Sequence, residues 1–427
     1  MSPLDTIFAL SSGAPPAGVG VIRVSGPCAG SALQTLAGRL PQPRRASLAR
    51  LRDGAGRLLD EALVLWFPGP NTATGEDLAE LHCHGGRAVI AAVEGELAAL
   101  PGLRRAEPGE FTRRAFINGR LDLAEAEGLG DLLSAETELQ RAAALGAMQG
   151  ALSRQVETWR ERVLALSAEL EAVLDFSDEE DAADLPERFT WNIATLAQEL
   201  GEWLARPRSE KLGEGFRVVL AGPPNAGKST LFNALIESEA AITSPIAGTT
   251  RDVIERSVGI AGVPFTFVDT AGLRDEGSDA IEAIGISRAR GELARADVVL
   301  WLGLEGEGPD GAWEIAAQCD VSSFVPKGSA RHTVSATTGE GLGALKAALV
   351  KVACAALPKP GEAALNARQH ARLAEAAEAL QAAPRLHDPL LIAEELRRAR
   401  LAFDRLIGRA TTEDMLDALF GRFCIGK

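Results

Sequence analysis

The chain has 427 residues, of which 46% are apolar and 24% are charged, and its net charge is −15. This length predicts roughly three domains, and no stretch approaches the roughly 18 apolar residues of a membrane span. The first ten residues lack the basic flank of a secretory signal. Five scattered cysteines form no CxxC pair, which favours a reducing compartment, the cytoplasm; they are Cys28, Cys83, Cys319, Cys354 and Cys424.

The first 118 residues mix short apolar runs with glycine and proline. Residues 18–25 and 62–67 predict strands, and residues 87–100 predict a helix. From residue 121 onward the sequence is rich in Ala, Leu and Glu, with apolar residues three and four apart. That spacing predicts amphipathic helices at 121–146, 152–175 and 187–206.

Alternating strand and helix patterns over residues 215–357 predict an α/β domain, and helical patterns return at 362–420. The chain is therefore expected to be a multidomain α/β and α protein. Its predicted parts are an N-terminal α+β domain (1–118), a helical domain in two parts (119–214 and 358–427) and an inserted domain with a doubly wound sheet (215–357). Insertion is favoured because the two ends of a domain usually lie close together.

A phosphate-binding motif is the strongest signal in the chain. A buried strand predicted at 216–221 runs into GPPNAGKS at 222–229, which matches GxxxxGK[ST], and a helix follows. The glycines let backbone N–H groups wrap a β-phosphate, and the helix directs its positive end at the anion. Lys228 is expected to neutralise the β- and γ-phosphates, and Ser229 is expected to bind Mg²⁺.

Two further motifs follow at the distances of a nucleotide switch. A strand over 263–269 ends in DTAG, which puts Asp269 behind the Mg²⁺ ligands and the N–H of Gly272 near the γ-phosphate. The segment GTTRD (248–252) predicts a flexible loop with a threonine that completes the metal shell. Leu273 follows Gly272 and cannot orient a water molecule. Glu282 is the candidate for that task, and the alternative is a solvated acid at a helix start.

The sequence resembles the tRNA uridine-5-carboxymethylaminomethyl modification GTPases of the TrmE/MnmE type. The matching stretches span both ends and the middle: GVGVIRVSG (18–26), TATGEDLAELHCHGG (72–86), GEFTRRAFINGRLDLAEAE (109–127), AGPPNAGKSTLFNAL (221–235), IAGTTRDV (246–253), VDTAGLR (268–274) and FCIGK (423–427). The resemblance implies a GTPase, activated by K⁺, that takes part in modifying the wobble uridine (position 34) of certain tRNAs. It also implies a folate-binding N-terminal domain and an inserted P-loop G domain.

The resemblance implies a homodimer formed through the N-terminal domains, which would bind a tetrahydrofolate one-carbon donor. It points to Arg23, Glu80, Arg120 and Lys427 as folate contacts and to Cys424 as a catalytic candidate beside the folate. It further implies a flavin-dependent partner protein that supplies FAD. From the residues alone, each of these charges is an ordinary surface charge, and a cysteine near a chain end is usually inert.

The resemblance also implies how K⁺ and Mg²⁺ are held. The K⁺ ligands would be Asn225, Ser244, the carbonyl of Ile246, and Thr249, while Thr250 would join Ser229 on Mg²⁺. Glu282 and Lys228 would be catalytic, although one extra residue separates Glu282 from DTAG here. The implied GTP contacts are Asn225, Ala226, Gly227, Lys228, Ser229, Thr230, Ser244, Pro245, Ile246, Ala247, Gly248, Thr249, Thr250, Asp269, Thr270, Ala271, Gly272, Asp320, Ser335 and Ala336.

The guanine-reading motif NKxD of this family is degraded. After a strand at 297–302, a short helix and another strand should lead to the motif, and the best match is AQCD (317–320), which keeps only Asp320. Asp320 can still accept from the guanine N1–H and amine groups, and Ser335 and Ala336 fit the second guanine loop. The altered motif leaves a P-loop ATPase open. A regulatory switch or assembly factor without modification chemistry is the other alternative.

Two polar clusters have both a functional and a plain interpretation. The net charge of −15 repels RNA, so a tRNA needs a local basic patch or a basic partner. The best cluster is Arg104, Arg105, Arg113, Arg114 and Arg120, which could equally be a solvated rim. His82-Cys83-His84 suggests zinc, but no further ligands at zinc spacing lie nearby, and a packing role is favoured.

Overall fold

The structure, a computed structural model, describes residues 5–175, 187–237, 240–241, 254–270, 290–359, 362–410 and 412–426. The chain forms two compact units. The first comprises residues 1–130 together with 404–427, and the second comprises residues 131–403. Among the described helices, none has both the length and the apolar character needed to cross a bilayer.

The first unit is built on one mixed sheet. Its elements are β1 (Thr6–Leu10), β2 (Val19–Ser25), α1 (Ala29–Ala37), β3 (Ser47–Arg52), β4 (Leu58–Phe67), β5 (Leu78–His84), α2 (Arg87–Ala99), β6 (Leu103–Arg105), α3 (Glu110–Ile117) and the start of α4 (Leu123–Ser134). The six described strands lie in the order β3-β4-β5-β2-β1-β6, and only β1 and β6 pair in parallel. The strands predicted at 18–25 and 62–67 and the helix at 87–100 are confirmed.

The two faces of this sheet differ because successive side chains on a strand point to opposite sides. On one face Ile22, Val24, Val64 and Leu81 are buried in a core that α1 and α2 complete. The other face carries Arg23, Glu80 and His82 together with the exposed Leu48 and Leu63. The inner face of the sheet therefore contributes to the hydrophobic core. The outer face is polar over β2 and β5 and exposes leucines on β3 and β4.

The second unit begins with helices. They are α5 (Glu138–Met148), α6 (Ala151–Asp175), α7 (Glu187–Leu204) and α8 (Glu210–Glu214). The single helix predicted over 121–146 is wrong, because α4 and α5 are separate. Thr137 accepts from the Gln140 backbone N–H, and the Gln140 side chain accepts from Thr137 N at 2.9 Å. This capping box starts a new helix where apolar spacing alone suggests a continuous one.

A second mixed sheet follows. Its segment contains β7 (Phe216–Ala221), α9 (Lys228–Glu237), β8 (Ala240–Ala241), β9 (Ile254–Ile260), β10 (Val263–Asp269), β11 (Val298–Trp301), β12 (Trp313–Ala316), β13 (His332–Thr333) and α10 (Leu342–Ala356). The seven described strands have the order β13-β12-β11-β7-β10-β9-β8. β7 pairs in parallel with β10 and β11, whereas β9 is antiparallel to both of its neighbours.

The short helix predicted between β11 and the next strand is wrong. Residues 302–312 connect β11 to β12 with turns and bends. This segment contains four glycines and a proline, at positions 303, 306, 308, 311 and 309. Both residue types disfavour a helix interior, glycine by about 1 kcal/mol and proline by about 3 kcal/mol relative to alanine. The local composition therefore explains the absence of a helix in this connection.

Helices return after the second sheet, as the pattern over 362–420 predicts. They are α11 (Ala367–Ala382), a 3₁₀ helix (Ala383–Arg385), α12 (Pro389–Ile407) and α13 (Glu413–Phe420). Trp159 of α6 is fully buried, meets Trp203 of α7 edge-on at 5.2 Å and stacks on Phe403 of α12 at 6.0 Å. Helices from before and after the second sheet therefore share one aromatic core.

Candidate functional site

The phosphate loop lies at the carboxyl end of β7, the strand between β10 and β11. Gly222, Asn225 and Gly227 all have positive φ, at 150°, 61° and 86°. Side chains rarely adopt these conformations, which is why glycine occupies two of the three positions. The chain turns sharply and enters α9 at Lys228. Backbone N–H groups at the start of a helix form an anion-binding site, as the motif predicts.

Lys228 lies across this loop. Its side chain is buried, and its Nζ donates to the carbonyl oxygens of Gly222, at 3.0 Å, and Pro223, at 2.8 Å. A buried ammonium needs such partners, because desolvating an unpaired charge is costly. The positive charge is therefore held within the loop that is predicted to bind phosphates.

Ser229 and Asp269 meet beside the loop. β10 pairs with β7 so that Asp269 lies opposite Leu220, and Asp269 is completely buried. Ser229 is an exposed residue in the first turn of α9, and its Oγ donates to Asp269 Oδ2 at 2.6 Å. Thr270 Oγ1 donates to the Leu220 carbonyl at 2.8 Å, which fastens the end of β10. Thr230, next along α9, is exposed.

The predicted base-binding loops lie at the carboxyl ends of β12 and β13, which pair in parallel. Asp320 is exposed, whereas Ser335 is fully buried and accepts from Thr338 N at 3.1 Å. Cys319 N donates to the Val334 carbonyl at 3.3 Å, so the loop with Asp320 is tied to the loop with Ser335 and Ala336. Burial and the nearby carboxylates of Glu340 and Asp320 raise the pKa of the Cys319 thiol.

Gln318 is a residue that sequence reasoning did not assign to the site. It follows Ala317 in the AQCD segment, and its Nε2 donates to the Asn225 carbonyl of the phosphate loop at 3.4 Å. Gln318 occupies the lysine position of the NKxD motif, and this position was the only signal in the sequence. Because the change from lysine was interpreted as the loss of a motif residue, the hydrogen bond to Asn225 was not predicted.

Several predicted site residues fall outside the described part of the chain. They are Ser244, Pro245, Ile246, Ala247, Gly248, Thr249, Thr250, Ala271, Gly272, Glu282 and Lys427. The described part of the nucleotide site therefore comprises the phosphate loop, Asp269, Thr270 and the two base loops.

In the first unit, Arg23 and Glu80 form an ion pair across β2 and β5, where they are opposite one another. Arg23 Nη2 lies 3.0 Å from Glu80 Oε1, and His82 Nε2 lies 3.2 Å from Glu80 Oε2. The Arg23 guanidinium also lies 5.8 Å from the centroid of the Phe111 ring. All three polar side chains are partly exposed, so the group is accessible from the outer face of the sheet.

The C-terminal segment of the first unit returns to this sheet. Ile425 forms a β-bridge with Pro108, and Gly109 N donates to the Cys424 carbonyl at 3.5 Å. Gly426, at φ 93°, packs so tightly against Leu10 that a Cβ would overlap the Leu10 carbonyl. Leu10 belongs to β1, and its neighbour Ala9 pairs with Arg23 of β2. The C-terminal segment therefore approaches β1, the strand next to the one that carries Arg23. The Cys424 side chain is exposed.

Arg120 lies in a different environment from Arg23. It is exposed just beyond α3, its N–H donates to the Ala115 carbonyl at 2.8 Å, and its Cγ lies next to Gly75. Within the described residues, no hydrogen bond or ion pair joins Arg120 to Arg23 or Glu80. The structure therefore brings Arg23 and Glu80 together and leaves Arg120 beside the loop at Gly75.

The arginines at residues 104–120 do not form the free cationic surface that a basic patch for tRNA would need. Arg104 binds Asp5 at 2.6 Å and Glu110 at 2.5 Å. The buried Arg114 binds Asp5, Glu76 and Glu110, Arg105 binds Glu94, and Arg113 binds Glu413 and Asp417. Four of the five arginines are thus neutralised by carboxylates, which a linear sequence does not reveal because most of these partners are distant in the chain.

The side chains of the His82-Cys83-His84 segment diverge. Cys83 is buried in the core of the sheet, and burial, together with the charge of Asp60, raises its pKa to about 12. His84 Nδ1 lies 2.7 Å from Asp60 Oδ1, whereas His82 pairs with Glu80. Among the residues that the structure describes, no three or more His, Cys, Asp or Glu side chains gather as a metal site.

Two protein families match this chain. The GTP-binding protein TrmE N-terminus matches residues 6–120, and the MnmE helical domain matches residues 123–424. The latter covers more than half of the chain. Among solved structures, the G domain of the T. maritima FeoB iron transporter is 26% identical over 32% of this chain and 98% of that chain, but its TM-score of 0.24 is too low to establish a shared fold.

Three full-length relatives carry the name tRNA modification GTPase MnmE. The protein of Erythrobacter litoralis is 65% identical over 424 residues, which are 99% of this chain and 100% of that protein. The protein of Novosphingobium aromaticivorans is 63% identical, with 99% and 100% covered. The protein of Rhizorhabdus wittichii is 59% identical, with 99% and 97% covered. With its phosphate loop, its buried switch aspartate and this identity over its whole length, the chain belongs to the MnmE family of tRNA modification GTPases.

Proposed function

We propose that this chain hydrolyses GTP, with Mg²⁺ bound and with activation by K⁺, and takes part in carboxymethylaminomethyl modification of the wobble uridine (position 34) of certain tRNAs. The observation that carries the hydrolase part is the phosphate loop, with Lys228 across its carbonyls and Ser229 bonded to the buried Asp269. The tRNA part rests on membership of the family.

The residues beside the loop suit Mg²⁺. Ser229 offers a hydroxyl oxygen and Asp269 a carboxylate oxygen, and hard divalent cations prefer such oxygen ligands. Ser229 and Thr250 would hold the ion, while Asp269 orients the Ser229 hydroxyl through their 2.6 Å hydrogen bond. Bound there, Mg²⁺ supplies positive charge that stabilises the transferring phosphoryl group. Lys228 adds a second positive charge, and Glu282 would orient the attacking water.

Asn225 suits a monovalent cation because it is an exposed residue of the phosphate loop with an amide oxygen to offer. Its φ of 61° is a conformation that few residues other than glycine adopt. Ser244, Ile246 and Thr249 would complete the K⁺ ligands. A positive charge at the transferring phosphoryl group is worth about 10³–10⁵ in rate where an arginine supplies it, and K⁺ would supply it here.

Guanine is the base that best fits the two base-binding loops, which carry Asp320 and Ser335. An exposed carboxylate such as Asp320 accepts from two N–H groups of guanine, whereas adenine offers a donor only at its amine. Ser335 is buried and holds its loop through the bond from Thr338 N, which would aim the Ala336 backbone at the base. This donor pattern favours GTP over ATP despite the missing Asn and Lys of the motif.

The first unit would bind the tetrahydrofolate donor beside the Arg23–Glu80 pair. Arginine forks recognise carboxylates, and a carboxylate recognises a pterin-like donor edge. The segment with Cys424 approaches Leu10 of β1, the strand that pairs with the Arg23 strand, and Lys427 would extend it. Arg120 would have to reach the ligand from the loop at Gly75. Cys424 is exposed and available for chemistry at that ligand.

The outer face of the first sheet would form a homodimer. Leu48 and Leu63 lie opposite one another on β3 and β4 and are 68% and 40% exposed, and Val19 is 53% exposed. Exposed apolar side chains that adjoin on a sheet mark interaction surfaces. A flavin-dependent partner protein would supply FAD. It would also supply the positive surface for tRNA, since all four arginines at 104–114 are paired with carboxylates.

The hydrolase part is tested by initial rates of phosphate release from GTP and from ATP, in KCl and in NaCl at equal ionic strength. We expect GTP to be preferred and KCl to accelerate its hydrolysis strongly. Equal slow rates in both salts would remove the potassium mechanism, and a preference for ATP would remove the guanine assignment.

The modification part is tested by nucleoside analysis of tRNA from a strain that lacks this gene. We expect the carboxymethylaminomethyl group to be lost from wobble uridines and to return with the wild-type gene. Unchanged uridines would leave a regulatory switch without modification chemistry as the better description.

A further inference from the structure

The hairpin of β9 and β10 has one end beside the phosphate loop. Its strands form seven residue pairs, which on β10 run from Val263 to Asp269. Asp269 accepts from Ser229 next to the loop. A strand rises about 3.3 Å per residue, so the turn of the hairpin is about 20 Å from Asp269. Only Ala261 and Gly262 form this turn, with φ angles of 50° and 79°, as in the tight type I′ turns that match the twist of their strands.

The start of α5 packs against this turn. The Leu139 N–H donates to the Gly262 carbonyl at 3.0 Å. A Cβ on Gly262 would lie 3.2 Å from Glu138 Cβ. A Cβ on Gly259 would lie 3.2 Å from Thr137 Cγ2. Glycine at both positions therefore lets the hairpin approach α5 closely, and the buried Leu139 side chain joins the core of the second sheet.

Gln140 connects the same contact to α8. Its Oε1 accepts from Thr137 N at 2.9 Å, and its Nε2 donates to the Leu212 carbonyl at 2.8 Å. Leu212 is buried in α8, the helix that directly precedes β7. The start of α5 therefore contacts the hairpin directly and also contacts the helix that leads into the strand of the phosphate loop.

We propose that the contact of the turn at 261–262 with residues 137–140, here called the α5 joint, passes the nucleotide state of the second sheet to the helices. Bound Mg²⁺ and a γ-phosphate draw the end of β10 at Asp269 toward the phosphate loop. Because the hairpin is fully paired, its turn is then pulled away from α5. GDP lacks the γ-phosphate and leaves the α5 joint closed. The inference rests on the proposed binding of GTP and Mg²⁺ and adds how that binding is sensed outside the sheet.

The amide of Leu139 reports on the α5 joint. The first four N–H groups of an α-helix have no acceptor within the helix, so the Gly262 carbonyl is what protects the Leu139 N–H from exchange. Hydrogen exchange by mass spectrometry on the full chain measures this protection. We expect the peptide with Leu139 to exchange faster with Mg²⁺ and the non-hydrolysable analogue GMPPNP than with Mg²⁺ and GDP.

Gly262→Ala opens the α5 joint without changing a residue of the nucleotide site. Its Cβ meets Glu138, and its φ of 79° strains an alanine. Gly306→Ala is the matched control, because Gly306 lies in the same unit with the same φ of 79° and nothing lies within 4 Å of the added Cβ. The two variants share the backbone strain and differ in the contact with α5.

Gln140→Met loosens the α5 joint from the side of the helix. It removes the capping acceptor and the bond to Leu212, while methionine and glutamine have similar helix propensities. Gln369→Met is its control, because Gln369 has the same place in the capping box of α11.

Calorimetry gives the dissociation constants of GDP and GMPPNP for each variant. If the triphosphate opens the α5 joint, then opening the joint must favour the triphosphate by the same factor. We expect the ratio of the GDP constant to the GMPPNP constant to rise about fivefold in G262A and about twofold in Q140M. The ratio should keep its wild-type value in G306A and Q369M.

An unchanged ratio in G262A and Q140M would overturn the inference, because the α5 joint would then be structural only. A shift of the ratio toward GDP would contradict the direction of the pull, and an equal shift in G306A would assign the effect to backbone strain. Equal exchange of the Leu139 peptide with both nucleotides would also exclude the joint. If G262A does not fold, Q140M and the exchange measurement decide. A wild type that binds neither nucleotide would refute the proposed function, and the α5 joint with it.

Discussion

Ser229 Oγ donates a 2.6 Å hydrogen bond to Asp269 Oδ2, although the two residues are 40 positions apart. β10 brings them together by pairing with β7, and the burial of Asp269 keeps its carboxylate away from water. A short hydrogen bond to an ionised acceptor is stronger than a neutral one. The hydroxyl of Ser229 is therefore held in one orientation at the mouth of the phosphate loop.

Replacing Ser229 by alanine should slow GTP hydrolysis and raise the Mg²⁺ concentration needed for half-maximal rate. A hydrogen bond to a charged group is worth about 1.5–3 kcal/mol, which predicts a fall of roughly ten- to a hundredfold in rate at limiting Mg²⁺. Phosphate release measured over a Mg²⁺ titration checks this. Thr195→Ala removes a comparable hydroxyl on α7 and should change neither quantity, and an unaltered Mg²⁺ requirement in S229A would refute the assignment.

Asp320→Asn should reverse the preferred base. The NH₂ group of an asparagine amide is a donor, and it would face the amine of guanine, which is also a donor. Xanthine has a carbonyl oxygen in place of that amine and can accept from the asparagine amide. We expect GDP to bind roughly ten- to a hundredfold more weakly and XDP more tightly than in the wild type. Calorimetry with both nucleotides measures the change. Equal losses for GDP and XDP would mean that Asp320 does not face the base.

Leu63→Glu should dissociate the proposed dimer of the first unit. Leu63 lies opposite Leu48 on the exposed face of the sheet, and a carboxylate buried there without a partner would cost several kcal/mol. Sedimentation should show a dissociation constant raised by about 100-fold or more. Leu390→Glu changes an exposed leucine of the second unit and should not alter the dimer. A dimer that survives L63E must use another surface.

Glu110→Gln should destabilise the first unit at neutral pH. Burial alone would raise the pKa of Glu110, but hydrogen bonds from Arg104, from the Glu107 N–H and from Arg114 outweigh it and lower the pKa below its ordinary value of 4.5. Such a group stabilises the fold above pH 4.5, and this contribution is lost as the pH falls through the lowered pKa. Removing the charge leaves two arginines short of a partner, which should cost about 3–5 kcal/mol.

Urea unfolding at pH 7 and at progressively lower pH measures this effect. The difference between the wild type and E110Q should be largest at pH 7 and shrink below pH 4.5, because protonated Glu110 resembles glutamine. Glu138→Gln breaks an exposed pair with Arg141 and should have a much smaller effect. A difference that stays constant with pH would contradict the role of the Glu110 charge.

Cysteine labelling should separate the thiols by burial. Cys83 is buried, and its pKa of about 12 leaves roughly one thiolate in ten thousand at pH 8. Cys354 and Cys424 are exposed and should react with iodoacetamide within minutes, whereas Cys83 should react only after unfolding. Peptide mapping by mass spectrometry reports each site, with urea-treated protein as the control. Rapid labelling of native Cys83 would contradict the packing of the first sheet.

The parts of the site that could be predicted from the sequence are those in which neighbouring residues carry the whole signal. The segment 222–229 determines its own turn through glycine positions. The strand before it has the predicted bounds, and a helix follows it as predicted. Helix positions were predictable from apolar spacing, but the break before α5 was not. It depends on the capping pair Thr137 and Gln140, which competes with a continuous helix.

The parts that could not be predicted depend on residues far apart in the chain. Arg113 and Arg114 resemble a basic patch in the sequence, yet Arg113 pairs with Glu413 and Asp417, and Arg114 pairs with Asp5 and Glu76. The contact of Gln318 with Asn225 bridges two loops that no local pattern connects. Charge counts and motif matching predict neither the arginine ion pairs nor the contact of Gln318 with Asn225, because both depend on the tertiary fold.

The division of the first unit into two distant stretches has a consequence for synthesis. A ribosome makes the chain from its N-terminus, so the whole of residues 131–403 is available before residues 404–427 exist. The second unit can therefore fold while the first still lacks α13 and the bridge between Pro108 and Ile425. A nascent chain stalled before residue 404 would expose the side of α3 that later receives Phe420, and this incomplete state is where chaperones have most to protect.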